Sequence, residues 1–128
     1  MAEKAKILII EDEKKFTKAL VLRLEANSYD VDVAHEGMEG LRKAREGNPD
    51  LIILDVMLPK INGYKIARLL KYDEKYKHVP IIMATARSDI KDQKIGKETG
   101  ADIFMTKPFK SSELMENITK LLKSEEVT

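Results

Sequence analysis

Five residues stand out for the chemistry they could do. Glu11 and Asp12 directly follow a continuous apolar run, Ile7–Ile10, and Asp55 directly follows a second one, Leu51–Leu54. Carboxylates at such places have plain uses. Asp12 could cap a helix, and Asp55 could begin a turn before Pro59. Held together, they would repel one another and attract a hard divalent cation. Two further residues end apolar runs of their own. Thr85 closes Ile81–Ala84 and offers a hydroxyl to an anionic oxygen. Lys107, within FMTKPF, is either a solvated lysine or a point charge for a dianion.

Whether these residues meet depends on the elements that carry them. Ile7–Ile10, Leu51–Leu54 and Ile81–Ala84 are short β-rich runs. Tyr29, Val31 and Val33 alternate with Asp30 and Asp32, a period of two, and Ala101–Met105 forms a fifth strand broken by Asp102. Between them lie helical patterns. Phe16, Leu20 and Leu24 mark one over Glu13 to Ala26. Met38, Leu41 and Ala44 mark a second, closed by Gly47 and Asn48-Pro49. Asn62-Gly63 opens a third with Ile66, Leu69 and Leu70, and Asp89 to Thr99 forms a polar fourth. Ser111 or Ser112 caps a fifth, with Leu114, Ile118, Leu121 and Leu122 on one face.

Strands alternating with helices predict an α/β fold, a doubly wound five-stranded parallel sheet with helices on both faces. Solid apolar runs suit interior strands, and the alternating second strand suits an edge. The order 2-1-3-4-5, flavodoxin-like, satisfies both. It makes strands one and three neighbours, about 4.8 Å apart, with the ligand crevice beyond their carboxyl ends. Glu11, Asp12 and Asp55 then share one pocket. Mg²⁺ favours one or two carboxylates, waters and phosphate oxygens, so the pocket reads as a Mg²⁺ site for a phosphoryl group, with Mn²⁺ as the alternative ion.

The segments ILIIEDE, DLIILDVMLPKINGYK, PIIMATAR and GADIFMTKPF, in this order, resemble the receiver domain of two-component response regulators over nearly the whole chain. The resemblance implies one receiver domain over residues 1–128, with Asp55 as phosphoacceptor. Asp12 would hold the metal directly, Glu11 through water, and Met57 through its backbone carbonyl. Thr85 and Lys107 would contact the phosphoryl oxygens. Phe104 would be the switch aromatic, and Lys107-Pro108 a cis peptide, which sequence physics alone does not favour. Met57 and Arg87 would flank the path of the hydrolytic water. An apolar Met and a long Arg there imply slow self-dephosphorylation. The implied partners are a sensor histidine kinase or phosphotransfer protein, and a downstream protein target or fused effector. The latter would be met through the fourth helix, fifth strand and fifth helix, the fourth helix being weakly anchored by Ile90 and Ile95.

Composition narrows the rest. The 128 residues carry 23 basic and 22 acidic side chains, net +1, with 43% hydrophobic residues and no cysteine. That suits one folded domain. It excludes disulfides and thiolate metal sites and gives no support for bulk binding to nucleic acid or membrane. The run before Glu11 is too short for a signal segment or a span, so a cytoplasmic protein is expected. His35 and His78 fall in polar connections and read as surface residues.

Three other functions are less well supported. A Mg²⁺-dependent aspartyl-phosphate phosphatase needs an acid where Met57 stands. A nucleotide or flavin module needs glycines where EDEKK stands. A phosphorylation-independent interaction module would not need all five acceptor-site residues.

Overall fold

In a computed structural model the structure describes residues 4–86 and 100–127. Five parallel strands, β1 (Lys6–Ile10), β2 (Asp30–Ala34), β3 (Leu51–Asp55), β4 (Ile81–Thr85) and β5 (Ile103–Thr106), form one sheet in the order β2-β1-β3-β4-β5. The helices described are α1 (Lys14–Ala26), α2 (Gly37–Gly47), α3 (Gly63–Lys71) and a C-terminal helix (Ser111–Val127). The fourth helix predicted from the sequence, Asp89 to Thr99, and Arg87 before it lie outside the described residues.

The sheet has a core on each face because strand side chains alternate. Ile7, Ile9, Leu51, Ile53 and Ile82 point to one side and meet Leu20 and Leu24 of α1 and Leu114 and Ile118 of the C-terminal helix. Leu8, Ile10, Ile52, Leu54 and Met83 point to the other and meet Leu41 of α2 and Ile66 and Leu70 of α3. Burial on both faces is why β1, β3 and β4 read as unbroken apolar runs. β2 is an edge strand, with only Ala34 fully buried.

Three local details differ from the sequence reading. The last helix has Lys110 at its entry, since the Leu114 N–H donates to the Lys110 carbonyl at 3.1 Å, so Ser111 and Ser112 lie inside the first turn. Glu13 occupies the cap position of α1 without a side-chain bond, which leaves Asp12 for other uses. β5 begins at Ile103, and Asp102 before it has a side-chain role of its own. Its carboxylate accepts the Ile81 N–H at 2.8 Å and pairs with Lys71 at 2.8 Å, tying the start of β4 to the end of α3.

Asn62 caps α3 as expected, its side chain accepting from the Lys65 N–H at 3.1 Å. Gly63 beside it is required by proximity. A Cβ there would lie 2.2 Å from the Asp55 carbonyl oxygen, so only a bare backbone can let α3 start against the end of β3.

Candidate functional site

Strand register assembles the site. Ile10 lies opposite Leu54, which puts the next residues, Glu11 and Asp55, side by side. Asp55 lies opposite Ala84, and Thr85 opposite Thr106, so Thr85 and Lys107 end the two neighbouring strands. The Lys107 N–H donates to the Thr85 carbonyl at 2.7 Å and fixes where the lysine leaves the sheet. The Lys107–Pro108 peptide is cis.

One carboxylate oxygen from each of Glu11, Asp12 and Asp55 lies within 4.8 Å of the others. Glu11 and Asp55 are buried, while Asp12 is exposed at the mouth. The Lys107 ammonium pairs with Glu11 and stands 3.7 Å from Asp55 Oδ1. Were all three ionised, the single Lys107 ammonium would leave two negative charges uncompensated. Only hard oxygen donors are present, at a spacing one small cation could bridge. The group therefore fits Mg²⁺ or Mn²⁺.

Electrostatics mark Asp55 in particular. Its pKa is raised from 3.8 to about 7, first by burial and then by the charge of Glu11. Lys107 and the Met57 N–H, which donates to Asp55 Oδ1 at 3.3 Å, pull the other way without offsetting the rise. An ionised Asp55 is thus short of positive charge.

The remaining predicted residues fall around this nook. Thr85 is fully buried at the end of β4. Met57 is half exposed, and its thioether cannot serve as an acid or base. Phe104 lies on β5 opposite Met83, partly buried against the cluster shared with α2 and α3.

Two residues near the site were given other uses by the sequence reading. His35 is not a plain surface residue. It is partly buried, and its Nδ1 lies 3.0 Å from the Glu11 carbonyl oxygen, so a protonated Nδ1 donates there. Glu11 Oε2 in turn accepts the Glu13 N–H at 3.1 Å. Phe16, assigned to a helix face, sets its ring 4.3 Å from the Lys107 ammonium. Neither contact has a sequence signal, because each joins residues distant along the chain.

The profile of the response regulator receiver domain matches residues 7–119. This chain belongs to the receiver domain family of response regulators. Among curated proteins it is 43% identical over 118 residues to the response regulator ArlR of Staphylococcus saprophyticus, covering 92% of this chain and 52% of that protein. It is 40% identical over 122 residues to the alkaline phosphatase synthesis transcriptional regulatory protein PhoP of Bacillus subtilis, covering 95% of this chain and 50% of that one. The receiver domain thus spans about half the length of these relatives. The crystal structure of a signal receiver domain from a signal transduction histidine kinase of Syntrophus aciditrophicus superposes with a TM-score of 0.91 at 35% identity, covering 97% of this chain and 94% of that one. The receiver fold and its 2-1-3-4-5 sheet are borne out. Membership places the chain in a signalling family, and the interaction-module and phosphatase readings are not favoured.

Proposed function

We propose that residues 1–128 form one receiver unit in which Asp55 takes a phosphoryl group from the phosphohistidine of a sensor histidine kinase or phosphotransfer protein. The observation that carries this reading is the meeting of Glu11, Asp12, Asp55 and Lys107 at the carboxyl ends of the strands. An oxygen of ionised Asp55 attacks phosphorus; the O–P bond forms as the donor N–P bond breaks, and the imidazole leaves. Lys107 moves from Glu11 toward the phosphoryl oxygens and neutralises charge there, while the Thr85 hydroxyl donates to one of them. Phosphoryl transfer depends chiefly on such positioning and neutralisation. Glu11, Asp12, Asp55 and the Met57 carbonyl would hold Mg²⁺ or Mn²⁺, which supplies the remaining positive charge. The domain catalyses only its own phosphorylation and the later hydrolysis of its acyl phosphate. Intact mass after treatment with acetyl phosphate tests this reading; one added phosphoryl group located on Asp55 supports it.

Hydrolysis is slow in this account. The Met57 thioether offers the incoming water no strong hydrogen bond, and the family resemblance implies a position beside that water's path for the long side chain of Arg87. In the Met57→Asn, Arg87→Glu double variant the aspartyl phosphate should decay at least about tenfold faster, a barrier change near 1.4 kcal/mol. Following phosphate release over time checks this, and an unchanged lifetime refutes it.

Output follows from a population shift. Phosphorylation draws Thr85 toward the phosphate, Phe104 turns inward, and the face carrying β5 and the C-terminal helix changes its affinity for a protein target or fused effector. Neither nucleic acid nor membrane is met directly, and the domain works in the cytoplasm. Among the described residues no helix is long and apolar enough to cross a membrane. A Phe104→Ala variant should phosphorylate normally yet lose the phosphorylation-dependent part of partner binding. Retained dependence, measured by titration of partner into both forms, would contradict the switch.

A further inference from the structure

Lys107 has a neighbour that the phosphoryl chemistry does not by itself require. Its ammonium stands 4.3 Å from the centroid of the Phe16 ring. The ring is braced in turn, lying edge-on to Phe109 with centroids 5.9 Å apart and planes at 84°. Phe16 sits in the first turn of α1, and Phe109 follows Pro108, so the pair joins α1 to the loop that carries the lysine.

The Lys107 side chain is only 17% exposed, so its ammonium has lost most of its water. One side faces Glu11 and Asp55. A ring face carries partial negative charge and can take the place of water on another side. A leucine or isoleucine would fill similar space against Phe109 without attracting a cation.

We infer that Phe16 is a positioning residue, whose π-face holds the Lys107 ammonium over the acidic pocket by a cation–π contact. The ring offers no directional hydrogen bond, so the lysine can leave Glu11 for an incoming phosphoryl group without leaving its seat. The kinetic consequence rests on the phosphoacceptor reading above; the contact itself does not.

Fluorinated phenylalanines test this, because successive fluorines drain the ring face of negative charge while nearly preserving its shape. Mono-, di- and trifluorophenylalanine at position 16, and Phe16→Leu, would be compared by NMR without any metal. Unsubstituted protein should show Lys107 ε-methylene protons shifted by the ring current, and Phe16→Leu should lose that shift. The rate of Asp55 phosphorylation by acetyl phosphate with Mg²⁺ should fall stepwise along the fluorinated series, by about three- to fivefold at the end. Phe16→Tyr, which keeps the π-face, should retain the rate. Absence of the ring-current shift, or a rate that stays flat along the series, overturns the inference. Should the unsubstituted protein take up no phosphate at all, the phosphoacceptor reading falls, and the ring-current comparison still decides whether the contact exists.

Discussion

Asp55→Asn protein should resist denaturant better than the unsubstituted protein at pH 8 and no better at pH 4. Asp55 has a pKa of about 7 in the fold against 3.8 for an ordinary aspartate. Well below pH 4 its carboxyl is neutral in folded and unfolded chains alike, and the fold bears no cost. As pH rises from 4 to 7, the unfolded chain releases this proton first, so ionisation increasingly favours unfolding. Above pH 7 the cost levels off at about 2–4 kcal/mol after allowance for the Lys107 contact that Asn loses. Asparagine keeps the shape and can accept the Met57 N–H without the charge. Urea unfolding of both proteins at several pH values measures the difference. Adding Mg²⁺ at pH 8 should narrow it, because a cation bound only by the folded state stabilises that state. A difference that stays constant from pH 4 to 8 would contradict the origin assigned to the perturbed carboxyl.

Replacing Lys107 should have the largest kinetic effect of any change that leaves the phosphoacceptor itself in place. It is the one ammonium among the described residues that pairs with Glu11 and Asp55. Lys107→Met keeps much of the side-chain volume and removes the charge. Phosphorylation by acetyl phosphate should slow by about a hundredfold or more, the usual cost of deleting one preorganised group that neutralises transition-state charge. The same change should push the Asp55 pKa further upward, since its lowering influence is gone. Rates from quenched time courses resolved by mass measure the first effect; a loss smaller than threefold would contradict a direct role for the lysine.

Much of this arrangement was legible in the sequence, and the reasons are specific. Double-faced burial of β1, β3 and β4 leaves unbroken apolar runs. An edge position for β2 leaves alternation. Together these imply the strand order, and strand order with register brings Glu11 beside Asp55. What stayed hidden depends on contacts between side chains far apart in sequence. Asp102 looked like an interruption of a strand but serves Ile81 and Lys71. His35 looked solvated but holds the Glu11 carbonyl. Phe16 had helical spacing, and periodicity says nothing of which atom its ring faces. The cis peptide at Lys107–Pro108 was implied by family resemblance and not by the residues' own preferences.

The most direct measurement is the intact mass of the protein after incubation with acetyl phosphate, with and without Mg²⁺, for the unsubstituted chain and for Asp55→Asn. A single added phosphoryl group is expected on the unsubstituted chain in the presence of Mg²⁺, little without the ion, and none on the variant. Equal uptake by Asp55→Asn, or no uptake by either protein with Mg²⁺ present, would contradict it.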